Sequence, residues 1–220
     1  MIKAIIFDFD GVLVESVDVK TKAFARMFEN KGEEVVKKVT DFHLINGGLS
    51  RVHKFKHYYE VILKCSLSED KLSELCKTFS QLVVDEVINS PYVNGAKEFM
   101  EKYHRKIDLY IASGTPENEL RKIVKCREMD VYFKGIYGSP RQKGEIAKML
   151  LQKNGYDSKE VVFIGDSITD LKGAQESGVR FIGRVIGSED TAFEGMDIKV
   201  IKDMSDLDRS IMEFKDCNIA

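Results

Sequence analysis

One rhythm governs the second half of this chain and limits what it can fold into. From residue 92 onward, a short apolar run is followed by a Gly/Ser/Asp turn and then by an amphipathic stretch. The apolar runs are Ile107–Ala112, Ile136-Tyr137, Val161–Ile164, Phe181-Ile182 and Ile198–Ile201. The amphipathic stretches begin near Glu117, Gln142, Ser167 and Ser205. Strands alternating with helices predict a parallel sheet with helices on both faces, a three-layer α/β architecture. Residues 2–7 supply one more strand from the other end of the chain.

Between residues 16 and 90 the period changes from strand to helix. Ala23, Phe24, Met27 and Phe28 share one helical face. So do Val52, Phe55, Tyr59 and Ile62, and then Leu72, Leu75, Phe79, Leu82 and Val83. The expected organisation is a discontinuous α/β core from residues 1–15 and 91–220, interrupted by an all-helical domain at 16–90.

Composition narrows the class. A hydrophobic content of 43% over 220 residues supports a packed core. Lys+Arg number 34 against 36 Asp+Glu, which argues against nucleic-acid binding through bulk charge. The apolar runs are too short to span a membrane, and the run at residues 4–7 is too short for a signal-peptide core. Cys65, Cys76, Cys126 and Cys217 form no CxxC pair and none stands at ligand spacing from a His. They are expected to be reduced, mostly buried thiols of a cytoplasmic protein.

Chemistry concentrates at the strand exits. Ile5-Ile6-Phe7 runs into Asp8-Phe9-Asp10-Gly11, so two carboxylates sit where open α/β sheets bind ligands. Such carboxylates repel one another unless a cation lies between them, and Mg²⁺ favours one or two carboxylates plus phosphate oxygens. An EF-hand is excluded, because the glycine comes too early and the later Glu is absent. Ile111-Ala112 runs into Ser113-Gly114-Thr115-Pro116, which reads either as an anion-binding turn or as a simple helix cap. Val161–Ile164 runs into Gly165-Asp166-Ser167, with Asp170 one helical turn further on. Lys143 opens a helix, the end where the helix dipole disfavours a cation. Either an anion compensates it there or it is an ordinary surface lysine. It belongs to no P-loop, since no glycine precedes it and no Ser or Thr follows.

Taken in order, these four turns resemble the motifs of the haloacid-dehalogenase superfamily, in its small helical-cap branch with β-phosphoglucomutase and phosphoglycolate phosphatase. The resemblance implies a Rossmann-like core under a helical cap. Asp8 would be the nucleophile that takes the phosphoryl group, and Asp10 the general acid and base. Ser113 and the Gly114 N–H would hold phosphate oxygens, and Lys143 would neutralise the transferring group. Mg²⁺ would be held by the Asp8 carboxylate, the Asp10 backbone carbonyl and Asp166, with Asp170 acting in support. An acid at Asp10 implies turnover to an alcohol and inorganic phosphate, whereas the family's dehalogenases lack an acid at that position.

Gly47-Gly48-Leu49-Ser50-Arg51 resembles the cap loop of β-phosphoglucomutase-like members, which makes Arg51 the candidate for gripping the substrate's second charged group. His53, Lys54, Lys56 and His57 read mainly as a solvated helix face. The expected partner is a small phosphorylated metabolite, a sugar phosphate or a phosphorylated acid, and the expected state is a monomer. A β-phosphoglucomutase-like sugar phosphomutase is the alternative, although Glu15-Ser16 looks more like the hydrolase branch. A receiver-type phospho-acceptor is disfavoured by chain length and by the order of its acids.

Overall fold

The computed structural model describes residues 1–187 and 191–216. Six strands form one parallel sheet: β1 (Ala4–Phe7), β2 (Asp108–Pro116), β3 (Gly135–Ser139), β4 (Val161–Gly165), β5 (Arg180–Arg184) and β6 (Lys199–Ile201). Their order across the sheet is β3-β2-β1-β4-β5-β6. Every residue of β1 and β4 is buried, as expected of central parallel strands covered on both faces. Side chains alternate between the two faces. Ile5, Phe7, Leu109, Ile111, Val162 and Ile164 face one core layer, and Ala4, Ile6, Tyr110, Val161 and Phe163 face the other.

Helices cover both layers. On the first face lie α5 (Ala96–Tyr103), α6 (Glu117–Cys126) and α9 (Leu207–Asp216). They contribute Phe99, Leu120, Val124 and Leu207. On the second face lie α7 (Lys143–Asn154) and α8 (Ile168–Ser177), contributing Ile146, Leu150, Leu171 and Ala174. The expected three-layer α/β core is therefore the observed one.

The sheet order reverses around β1, because the chain goes first to β2 on one side and later to β4 on the other. That reversal opens a crevice at the carboxyl edge of the strands. Register fixes what lines it. Phe7 pairs with both Ile111 and Ile164, so Asp8 is level with Ala112 and Gly165. Ser113 and Asp166 follow one residue later on the same edge.

Residues 17–89 carry α1 (Val17–Phe28), α2 (Glu33–Ile45), α3 (Arg51–His57) and α4 (Glu69–Asn89). A π-helical turn at Tyr58–Ile62 continues α3. Aromatic residues form the centre of this helical layer, with the Phe24 and Phe79 rings 4.2 Å apart and Phe24 and Tyr58 5.4 Å apart. The chain leaves and re-enters the sheet layer through paired segments. Val14 bridges Tyr92 in antiparallel fashion, Glu15 N donates to Pro91 O at 3.0 Å, and Val93 N donates to Leu13 O at 3.1 Å.

Two expectations need correction. The inward face of α3 is Arg51, Lys54, Phe55 and Tyr58, while Val52 is exposed and Tyr59 only half-buried. Spacing of three, four and seven fits the helix equally well from Arg51, but a reading that assigns Lys54 to a solvated face cannot find it. The cysteines are not mostly buried either: Cys65 and Cys126 are exposed and Cys76 is half-buried, all three with free thiols. Cys65 lies in a connection and Cys126 on the outer side of α6, whereas Cys76 packs against the edge of the aromatic cluster. Cys217 lies outside the described residues.

Candidate active site

Asp8 leaves β1 with its backbone N–H bonded to Ile164 O at 2.9 Å. Its carboxylate Oδ1 accepts from Phe9 N at 2.7 Å. The next turn needs Gly11, whose φ is +74° and where a Cβ would lie 2.0 Å from Asp166 Oδ2. A side chain there is excluded by backbone conformation and by the carboxylate. Arg184, from the end of β5, clamps this turn from below. It donates to Gly11 O at 2.6 Å and pairs with both oxygens of Glu15.

Asp8, Asp166 and Asp170 each offer a carboxylate oxygen within 4.8 Å of the others. Lys143 sits between two of them. Its Nζ lies 2.8 Å from Asp8 Oδ2 and bonds Asp170 Oδ1. Gln142 and Glu145 form a reciprocal cap at the start of α7, so Lys143 is the first helical residue and its side chain is buried. Burial opposes its charge, but Asp170 and Asp8 more than offset this and hold the ammonium above the ordinary lysine range. The anion-compensated alternative for Lys143 therefore describes its position, and the surface-lysine alternative does not.

One lysine is not enough for the acids. Burial pushes the Asp8 carboxyl up to about 7, with Lys143 opposing and Asp170 and Asp10 adding to the rise. Asp166 is also raised, by burial and then by Asp8 and Asp170. Asp170 is fully buried and spends its second oxygen on α8, accepting from Ser167 N at 3.1 Å and Ser167 Oγ at 2.5 Å. It thus holds Lys143 and the helix start together. A hard, oxygen-only set of carboxylates carrying surplus negative charge fits a divalent cation such as Mg²⁺.

Asp10 behaves differently. Although half-buried, it is held below the usual carboxylate range by Lys20, then by Ser16 and Thr115. Lys20 pairs with Oδ2, Thr115 Oγ1 donates to Oδ2 at 3.2 Å, and Ser16 Oγ donates to Oδ1 at 2.6 Å. Ser113 is buried beside it, its Oγ accepting from Thr115 N at 3.1 Å. Neither Ser113 nor Thr115 caps α6, because Pro116 occupies that place without a side-chain bond. Helix capping therefore does not account for these hydroxyls.

The loop before α3 forms the roof. A Cβ at Gly48 would lie 2.9 Å from Ser167 Oγ and 3.0 Å from Lys143 Nζ, and a Cβ at Gly114 would lie 2.7 Å from Gly48 O. The backbone at Gly47-Gly48 therefore rests directly on the Gly114 turn and on the Lys143 and Ser167 side chains. Below it opens a cavity of about 920 Å³, lined by Asp8, Asp10, Lys20, Arg51, Lys54 and Ser113 among others. Arg51 reaches this cavity but is already engaged. Its guanidinium forms a two-pronged pair with Glu119 of α6, donates to Ser80 Oγ at 2.6 Å, and lies 4.7 Å from the Phe79 ring centroid.

Several residues of the site were not singled out from sequence. Lys20 and Glu119 lack any motif, and Ser16 entered only as part of the Glu15-Ser16 likeness to the hydrolase branch, not as a partner of Asp10. Lys54 had a usable signal, since it stands three residues from Arg51 on the same helical face. His53 is bonded to Ser50 at the surface, and His57 stacks on Phe42 with ring centroids 3.7 Å apart.

Comparison with known proteins gives the class, a hydrolase of the phosphatase type. Residues 5–184 match the family model for haloacid dehalogenase-like hydrolases, and the chain belongs to that family. It is 26% identical over 195 residues to a phosphorylated carbohydrates phosphatase of Thermotoga maritima, spanning 84% of this chain and 86% of that protein. It is 24% identical over 233 residues to a phosphoglycolate phosphatase of Sulfolobus acidocaldarius, spanning 97% and 95%. In fold it is similar to β-phosphoglucomutase from Clostridium difficile, with a TM-score of 0.80 at 16% identity and full coverage of both chains.

Proposed function

We propose that this protein is a Mg²⁺-dependent phosphatase of small phosphorylated metabolites that works through an aspartyl-phosphate on Asp8. The observation that carries the reading is the carboxylate cluster of Asp8, Asp166 and Asp170 at the reversal point of the sheet, with Lys143 paired to Asp8 and Asp170. Asp8, Asp166 and the Asp10 backbone carbonyl would hold the Mg²⁺. When bound, the ion supplies charge neutralisation for the phosphate oxygens and the nucleophile. Asp8 attacks phosphorus, splitting one displacement into two. Ser113, the Gly114 N–H and Lys143 hold the phosphoryl oxygens in line, which is most of what phosphoryl transfer requires of a protein.

Asp10 moves the proton. Lys20 and Thr115 keep its carboxylate ionised, the form that takes a proton from the attacking water. The same residue in its protonated form serves the leaving alcohol. Helices α1–α4 act as the cap, and the paired segments at Val14 and Tyr92 are its base. The roof excludes bulk water from the reacting groups. The cavity suits a sugar phosphate or a short phosphorylated acid.

The test is release of inorganic phosphate from an aryl phosphate with Mg²⁺, compared with EDTA and with Asp8→Asn. Wild-type turnover that vanishes in both controls supports the reading. Activity that survives either control overturns it. A primer-dependent isomerisation of hexose phosphates without phosphate release would instead establish the mutase.

A further inference from the structure

The cap contributes three cations to the cavity, Lys20, Arg51 and Lys54. Two of them are already matched by carboxylates, Lys20 by Asp10 and Arg51 by Glu119. Lys54 is different. It is buried on the inward face of α3, and its ammonium bonds only neutral partners among the described residues, His43 Nδ1 at 2.7 Å and Gly47 O at 3.1 Å. The Phe24 ring centroid lies 5.9 Å away. His43 also lines the cavity, is buried, and has no hydrogen-bond partner at Nε2. A buried lysine and a buried imidazole with spare donor capacity, on the wall of a substrate cavity, are costly unless something arrives to use them.

We propose that Lys54, supported by His43, receives a carboxylate at the non-reacting end of the substrate. The proposal rests on the phosphatase reading and names the substrate class for it: a phosphorylated acid rather than a neutral phosphate ester or a bisphosphate. Charge decides among these. Lys54 offers a single cation, and His43 stays neutral because burial and Lys54 hold its pKa down to about 2. One cation and one neutral N–H match the single charge and two oxygens of a carboxylate. A second phosphate would bring nearly two charges, and the guanidinium suited to it is already committed to Glu119.

Lys54 and Asp8 line the same cavity, so one ligand can meet both. Lys54 bonds Gly47 O, a Cβ on the adjacent Gly48 would lie 3.0 Å from Lys143 Nζ, and Lys143 touches Asp8. The ammonium and the nucleophile are thus joined by a few consecutive contacts. Burial, with Lys20 adding to it, holds Lys54 down to about 7, so an arriving anion would restore its full charge.

The experiment compares 2-phosphoglycolate with ethyl phosphate, which keeps the chain length and lacks the carboxylate. Wild-type kcat/KM should favour the acid by about 10- to 100-fold, the worth of one hydrogen bond to a charged group. In Lys54→Met that ratio should collapse towards one, with the loss of acid turnover carried by KM rather than kcat. Lys54→Gln, smaller and still polar, should show the same collapse. A preference that persists in both variants overturns the assignment of Lys54. A wild type without preference overturns it as well, and needs no variant to fold. Failure of the wild type to hydrolyse either ester or an aryl phosphate overturns the phosphatase reading itself, a separate and recognisable result.

Discussion

Replacing Asp8 by Asn should change how stability depends on pH in the metal-free protein. The folded-state pKa of Asp8, about 7, lies above its ordinary value of 3.8. The folded protein therefore binds this proton more tightly than the unfolded chain. The group's contribution is complete below the unfolded value and is lost as pH rises through the folded one. Between about pH 5.5 and about pH 8, the linkage relation gives a loss of roughly 2 kcal/mol from this one carboxyl. Asp166 works in the same direction, and part of its rise comes from Asp8. The wild-type curve alone would mislead, because His43 and Lys54 are shifted downward and gain stability as pH rises. The difference between Asp8→Asn and wild type removes them. Urea unfolding in EDTA at the two pH values should show that difference moving in favour of the variant by about 2 kcal/mol at the higher pH. Mg²⁺ at the higher pH should shrink the gap or reverse it, since only the wild type keeps the full ligand set. A difference that stays constant between the two pH values would refute the account of a surplus buried charge.

Two further outcomes follow from the cap. Glu119→Gln leaves the buried Arg51 guanidinium without its carboxylate, and should cost about 3 kcal/mol in urea unfolding. A cost below about 0.5 kcal/mol would place the pair among solvent-screened surface bridges. Gly48→Ala puts a methyl 3.0 Å from Lys143 Nζ and 2.9 Å from Thr169 Cβ. Because the roof can no longer seat, kcat/KM should fall by about tenfold or more; an unchanged value would show that the loop yields without disturbing the site.

Much of the core was legible because parallel strands buried on both faces write themselves as continuous apolar runs. Val161–Ile164 is one, and its end announces Asp166. Three of the four turns were legible for the same reason; the one before Lys143 follows the edge strand β3, whose burial alternates. The cap was harder. Its helices were visible from Phe24, Phe28, Phe55 and Phe79, and Arg51 was expected to face the site, but the inward placement of Lys54 and the pairing of Arg51 with Glu119 were not. Hydrophobic periodicity assigns charged residues to water, and a pocket wall reverses that rule. The Arg51–Glu119 pair spans 68 positions and depends on how α3 meets α6, which no local pattern encodes. Lys20 was missed because its meaning comes from Asp10 and Thr115, brought together only by the sheet edge.

The double duty of Asp170 has a consequence for how the molecule acquires activity. One oxygen closes the first turn of α8 on Ser167, and the other holds the lysine at the first residue of α7. Gly165 enforces the arrangement, because a Cβ there would lie 2.2 Å from Asp170 Cβ. A nascent or partly unfolded chain in which α8 has frayed would therefore have lost its lysine along with its helix start. Turnover then doubles as a reporter of folding: catalytic competence should appear in step with the docking of these two helices, and not before it.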